Sequence, residues 1–166
     1  MAPECPFPAA VVDGVEALAY VAKHGPGGGG AARNVFLCGD SAGGGLALAT
    51  ALAKHHAHDL PAPTAAMARR LPDTAAVATL SAYTDLPCAL PSYRTRTYRG
   101  GDGSAAPPGD FVFSTGDADA DIKASVECIA CYHGEHDPTT PLASPVYASP
   151  AALRQLPPTL MLVGDA

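Results

Sequence analysis

A serine stands between glycines in the segment Gly39-Asp40-Ser41-Ala42-Gly43, and this pattern can support nucleophilic chemistry. A serine on a sharp turn between a strand and a helix projects its hydroxyl from the sheet, where it can attack a carbonyl carbon. We expect Gly39 and Gly43 to be required, because larger side chains would collide across such a turn. The N–H of Ala42, at the start of the helix, would stabilise the oxyanion that forms. The motif therefore predicts a nucleophile elbow with Ser41 as the nucleophile.

The segments on either side of this motif predict the strand and the helix that it needs. Residues 34–38 form a continuous apolar run, typical of a parallel strand buried on both faces. Residues 42–57 predict a helix that ends before Pro61 and Pro63. A phosphate-binding loop is excluded, because no lysine follows the glycines and the G-x-G-x-x-G spacing is absent. We expect Asp40 to make a local structural hydrogen bond, since a catalytic acid must lie on the far side of a histidine ring.

Further segments have the patterning of regular elements. Residues 8–24 predict a helix, with apolar side chains at helical spacing and Gly25 after its end. Apolar runs over 75–81 and 159–163 predict two more strands, and residues 121–132 predict another helix. Strands and helices in this order favour an α/β fold with a mostly parallel sheet.

Composition and charge limit the class of protein. The 166 residues are 48% hydrophobic and carry a net charge of −6, so we expect one domain with a core and no nucleic-acid partner. For the same reason the basic and aromatic residues over 93–99 are interpreted as a solvated segment. The chain has no signal-peptide pattern, and it has no apolar run of the roughly 18 residues that span a membrane. Five cysteines with no compact secreted framework suggest reduced thiols, and we expect a cytoplasmic protein.

Gly-Asp-Ser-Ala-Gly-Gly at 39–44, which adds Gly44 to the motif, resembles the elbow of the hormone-sensitive-lipase-like serine esterases. Four more segments match that family in order: 2–10, 80–86, 143–147 and 156–164. The resemblance implies a partial α/β-hydrolase fold, in three layers with a mostly parallel sheet and a cap insertion. We expect a single partial domain over 1–166, with a core over 1–86, a cap-like insertion over 87–142 and a return to the core over 143–166.

The resemblance also implies which residues would complete the site. In the family, a His-Gly-Gly-Gly loop supplies further oxyanion donors, and we expect it to precede the first matching segment. The family spacing places the catalytic acid one position past Ala166 and the catalytic histidine later still. Asp165 is the candidate for a substitute acid within the chain. His133 and His136 are interpreted as solvated residues of the segment that leads back from the cap.

Cys128, Cys131, His133 and His136 raise the alternative of a metal site, since two thiolates and two imidazoles can hold tetrahedral zinc. The two pairs are closer in sequence than structural zinc sites usually allow, and Cys128 fits the predicted helix. We therefore expect no metal ligand here.

The activity implied by the resemblance is hydrolysis of a carboxylic ester through a Ser41 acyl-enzyme, with a small-molecule ester as substrate and no metal or organic cofactor. The alternative is a catalytically inactive fragment, or a ligand-binding pseudo-hydrolase on the same scaffold. If flanking strands are missing, both sheet edges would be open, and we expect self-association through them.

Overall fold

Three parallel strands organise the protein in a computed structural model that describes residues 2–95 and 117–164. They are β1 (Phe36–Asp40), β2 (Ala76–Leu80) and β3 (Thr159–Leu162), with β2 in the centre. Both pairings are parallel, and Thr79 on β2 lies opposite Gly39 on one side and Met161 on the other. The predicted α/β fold with a parallel sheet is confirmed, and β2 and β3 lie within their predicted ranges.

β1 lies two residues later in the chain than the predicted 34–38. The reason is its pairing with β2, which continues through Gly39 and Asp40 to Leu80. The N–H of Ser41 then donates to the carbonyl of Leu80 at 2.9 Å, so hydrogen bonding to β2 reaches the serine itself. The strand therefore delivers Ser41 directly to the end of the sheet.

Helix α1 (Ala9–His24) confirms the prediction for 8–24, and it buries Val11, Val15 and Leu18 on one face. Gly25 follows it with φ of 69°, a conformation that glycine adopts without strain. α1 packs against α2 (Ala42–Leu52), the helix that follows the serine. α2 in turn packs on β1 and β2. Two helical layers thus lie on one side of the sheet and support the strand-to-helix turn.

α2 ends five residues earlier than the predicted 42–57. A short 3-10 helix (Ala57–Asp59) follows, and then a helix that the sequence analysis missed, α3 (Ala62–Ala68). Pro61 and Pro63 were interpreted only as residues that stop a helix. Pro61 in fact precedes α3 and Pro63 lies in its first turn, where a missing N–H costs nothing.

The remaining elements are α4 (Ser92–Thr95), α5 (Ala118–His133), a 3-10 helix (Pro145–Tyr147) and α6 (Pro150–Leu153). α5 begins before the predicted 121–132, because the Asp117 carboxylate accepts from the N–H groups of Asp119 and Ala120 and caps the helix. All five cysteines are free thiols. Within residues 2–95 and 117–164, no helix has the length and apolar character needed to cross a membrane.

Candidate active site

Ser41 has a backbone conformation that is rare for a residue with a side chain, with φ of 54° and ψ of −120°. A non-glycine residue in such a region costs on the order of 1–3 kcal/mol and persists only where its surroundings hold it. Here the Ser41 N–H donates to Leu80 O, and the Ser41 carbonyl accepts from the N–H of Tyr83, both at 2.9 Å. The end of β2 therefore fixes the exposed serine at the junction of β1 and α2.

Glycines at the turn allow the backbones of β1, α2 and the segment after β2 to approach closely. A Cβ at Gly39 would overlap the carbonyl of Gly43, and a Cβ at Gly45 would overlap the carbonyl of Tyr83. A Cβ at Gly44 would lie 2.8 Å from the Cβ of Ala82, which is also too close. These three positions require glycine for steric reasons.

The expectation that Gly43 must also be small is wrong for the contacts that the structure describes. A Cβ added at Gly43 would meet no described atom within 4 Å. Gly43 is exposed on the first turn of α2, so its side-chain direction is away from the strand. The steric requirement belongs to Gly39, Gly44 and Gly45.

Ala42 is the first residue of α2. The first N–H groups of an α-helix have no acceptor inside the helix, and they carry the positive end of its dipole. In this turn the N–H groups of Gly44 and Gly45 donate to the Ser41 carbonyl at 3.0 and 3.2 Å. The N–H of Ala42, next to the serine hydroxyl in sequence, thus remains the predicted oxyanion donor.

The carboxylate of Asp85 is a hydrogen-bonding centre just after β2, and the sequence analysis gave it no role. It is 1% exposed. Its Oδ1 accepts from the Tyr147 hydroxyl at 2.8 Å, and its Oδ2 accepts from the N–H groups of Ala89 and Leu90 at 2.9 and 3.1 Å. Burial, and secondly the hydrogen bond to Asp85, raises the pKa of Tyr147. The only indication of this residue in the sequence was its position in segment 80–86, one of the four segments that match the esterase family.

Ser144 makes a second connection between the same two parts of the chain. It is fully buried, and its Oγ accepts from the N–H of Leu86 at 2.9 Å and donates to the carbonyl of Pro138 at 2.6 Å. Both polar functions of the hydroxyl are therefore used in the structure. This buried serine is a structural residue, in contrast to the exposed Ser41.

Cys88 is a second potential nucleophile close to this segment, but its surroundings keep it protonated. Its Sγ lies 2.8 Å from the Tyr83 hydroxyl, and the residue is buried. Burial raises the pKa of both the Cys88 thiol and the Tyr83 phenol. Because the thiolate is the reactive form, a buried neutral thiol is inert. Cys88 therefore does not compete with Ser41 as the candidate nucleophile.

The other predicted site residues are not brought together with Ser41. Asp40 is exposed at the end of β1, and its expected local hydrogen bond is not found among the described residues. His133 is the last residue of α5, and the His136 ring packs edge-on against Phe7 with centroids 5.4 Å apart. No hydrogen bond joins either imidazole to Ser41 in the ranges that the structure covers. Asp165 lies outside the described residues.

The candidate metal ligands differ from those weighed in the sequence. Cys128 and Cys131 are exposed one turn apart on α5, where the Cys131 thiol donates to the Cys128 carbonyl at 3.0 Å. Another group, His56, His58 and Asp59, places three potential ligand atoms within 4.8 Å of one another. Sequence reasoning missed it, because His56 was assigned to the last turn of an overlong α2.

Comparison with known proteins gives one consistent result. The family model described as alpha/beta hydrolase fold matches residues 1–166. An acetyl-hydrolase of Streptomyces hygroscopicus is 35% identical over 165 residues, which is 98% of this chain and 42% of that protein.

Solved structures agree with this match. The crystal structure of an esterase from the bacterial hormone-sensitive lipase family superposes with a TM-score of 0.66 at 30% identity, over 99% of this chain and 43% of the other. An esterase/lipase from an uncultured bacterium gives a TM-score of 0.64 at 30% identity, over 97% and 42% of the two chains. The chain therefore spans less than half the length of these relatives.

Proposed function

The chain belongs to the α/β-hydrolase fold family, and we propose that it carries the nucleophile of a carboxylic-ester hydrolase. In this proposal the Ser41 hydroxyl attacks the ester carbonyl and loses its proton to a general base. The tetrahedral oxyanion is stabilised by the N–H of Ala42, and the alcohol leaves with a proton to give an acyl-enzyme. Water then attacks the acyl group and releases the acid and free Ser41.

The backbone of Ser41 is the observation that carries this proposal. A serine with φ of 54° and ψ of −120° at the junction of a parallel strand and a helix has the arrangement of a nucleophile elbow. The two hydrogen bonds that hold it come from the neighbouring strand's end, so the exposed hydroxyl is positioned by the sheet. A preorganised nucleophile with an adjacent helix N-terminus is suited to acyl transfer.

The relatives support esters of small acyl groups as substrates. One is named as an acetyl-hydrolase, and the solved structures are described as esterases or an esterase/lipase. The relatives are also more than twice as long as this chain. We therefore place the general base and the acid of the triad in the part of the family's domain that this chain does not cover, with Asp165 as the alternative acid.

The alternatives of an inactive fragment and of a ligand-binding pseudo-hydrolase gain no support from these relatives, all of which are named as hydrolases, esterases or lipases. Hydrolysis through Ser41 is therefore the function that the site supports best.

The test is hydrolysis of p-nitrophenyl acetate and butyrate by the purified protein. We expect Ser41→Ala to lower kcat by at least about 1,000-fold, because it removes the nucleophile. Ser81→Ala is the matched control: Ser81 is an exposed serine that follows β2, with φ of 44°. We expect it to change kcat by less than about threefold. Retention of wild-type activity by Ser41→Ala would contradict the proposal.

A further inference from the structure

Two histidines and an aspartate converge in the turn that follows α2, at the end of the helix away from Ser41. The 11 residues of α2 give a rise of about 16 Å between the two ends. His56 immediately precedes the 3-10 helix Ala57–Asp59, and the N–H of Asp59 donates to the His56 carbonyl at 3.0 Å. This tight turn brings the side chains of His56, His58 and Asp59 to one place.

The distances between these side chains are long for hydrogen bonds and suitable for ligands of a shared metal ion. His56 Nδ1 lies 3.7 Å from Asp59 Oδ2, and His58 Nε2 lies 3.4 Å from Asp59 Oδ1. Hydrogen bonds of this type are about 2.7–3.2 Å long. Two ligands of a tetrahedral zinc ion with bonds of about 2.1 Å are separated by about 3.4 Å. The three ligand atoms lie within 4.8 Å of one another, so small rotations of the side chains bring all three to one ion.

Burial gives a second and independent reason for a cation at this place. Asp59 Oδ2, the carboxylate oxygen nearest to His56 Nδ1, is buried and has no hydrogen-bond partner among the described residues. The His56 side chain is 12% exposed, and the neighbouring Ala57 and Leu60 belong to the hydrophobic core. A buried carboxylate oxygen without a partner is costly, and a bound cation would satisfy it.

We propose that His56, His58 and Asp59 form a binding site for a divalent metal ion of the zinc type, with water as the fourth ligand. Two imidazole nitrogens and a carboxylate oxygen are donors that Zn²⁺ prefers. The ion holds closed the tight turn between His56 and Asp59. This site is separate from Ser41, so the proposal is independent of the proposed ester hydrolysis.

The test is Zn²⁺ affinity, measured by competition with a chromophoric chelator on the 166-residue chain. All proteins carry Cys128→Ser and Cys131→Ser, so that any zinc bound is assigned without these two exposed thiols. We expect one Zn²⁺ per chain, and we expect His58→Asn to weaken the affinity by at least about tenfold. His24→Asn, which removes a histidine from the end of α1, is the matched control and should leave the affinity unchanged.

His58 is the first choice for substitution because its side chain is 70% exposed, so its loss does not disturb the core. Asp59→Asn is the second variant, and it should weaken Zn²⁺ binding to a similar extent. The corresponding increase in Tm on adding Zn²⁺ should be smaller for both variants than for the parent protein at the same Zn²⁺ concentration. The proposal is wrong if the parent binds no Zn²⁺, or if His58→Asn and Asp59→Asn bind it as tightly as His24→Asn does.

Discussion

The two faces of the three-stranded sheet differ in how completely the described residues cover them. On the face toward α2, Val77 and Thr79 of the central strand are almost fully buried, and Met161 on the edge strand β3 is 50% exposed. On the other face, Phe36, Leu80 and Leu160 are 67%, 43% and 57% exposed. The strands of a parallel sheet are normally buried on both faces. The difference teaches that the serine turn is held from the better-covered face, through backbone contacts with α2, and from the end of β2.

The largest effect on stability is expected on the face of the sheet toward α2, where the backbones of β1 and α2 come closest. Gly39→Ala places a Cβ on the carbonyl of Gly43, so the turn must open. We expect the free energy of unfolding to fall by about 4 kcal/mol, measured by urea denaturation.

Gly43→Ala is the matched control at the same turn. Its Cβ meets open space among the described atoms, and alanine favours a helix, so we expect it to be neutral or to stabilise the protein by about 0.5–1 kcal/mol. Equal losses for the two substitutions would contradict the steric account of the elbow.

A smaller loss of stability is expected at Asp85, in the segment that follows β2. Asp85→Ala leaves the Tyr147 hydroxyl and two backbone N–H groups without their acceptor. We expect a decrease of about 3 kcal/mol in the free energy of unfolding. Asp73→Ala should change it very little, because that exposed carboxylate has only a surface ion pair with Lys54. Similar losses for both would show that the buried hydrogen bonds do not contribute.

The open face of the sheet, which carries Phe36, Leu80 and Leu160, provides the third test. We expect the 166-residue chain to self-associate through the open sheet edges and this face beside them, since unpaired strand edges and exposed apolar residues favour contact with a second copy. Leu160→Lys should weaken this association by roughly tenfold, measured by sedimentation equilibrium, without lowering the free energy of unfolding.

Leu153→Lys is the control for that substitution, because Leu153 is an exposed leucine on α6 and not on the sheet. It should leave the association unchanged. A monomeric parent chain would show that the open face is not an interface.

The smallest effect on stability is expected at alkaline pH, at the pair formed by Tyr83 and Cys88. Tyr83 also donates its N–H to the Ser41 carbonyl. Burial raises the pKa of both groups above their usual values of 10.0 and 9.0. Because the folded state prefers the protonated forms, their contribution to stability is complete below about pH 9 and is lost as pH rises through the raised values.

We expect urea denaturation between pH 8 and about 11 to show a smaller loss for Tyr83→Phe than for the parent. Tyr20→Phe is the control, because Tyr20 is 60% exposed and should leave the pH profile unchanged. A Tyr83→Phe profile identical to that of the parent would remove Tyr83 from the explanation.

Local sequence patterns were sufficient to predict α1, β2, β3 and the position of the nucleophile elbow. Helical spacing and the residues that end elements lie within a short stretch of sequence, so they can be read without the fold. The first strand was placed two residues too early, because its end is set by hydrogen bonds to Leu80 on another strand.

The details that sequence reasoning missed depend on contacts between distant segments. Gly44 and Gly45 are required because of Ala82 and Tyr83, which follow a different strand, whereas Gly43 looked equivalent to them in sequence. The convergence of His56 with Asp59 depends on where α2 ends, and its alanine-rich sequence did not reveal that.

The paired connections between residues 85–86 and 144–147 have a consequence for how this domain can diversify. Leu86 bonds to Ser144 across 58 residues of chain, and Asp85 bonds to Tyr147 beside it. The two ends of the intervening segment are thus fixed to each other within the core. Lengthening a segment with fixed ends adds little loop-closure entropy, about 0.6 kcal/mol for each doubling. Evolution, or an engineer, can therefore lengthen that segment at a small entropic cost while these two connections keep its ends in place.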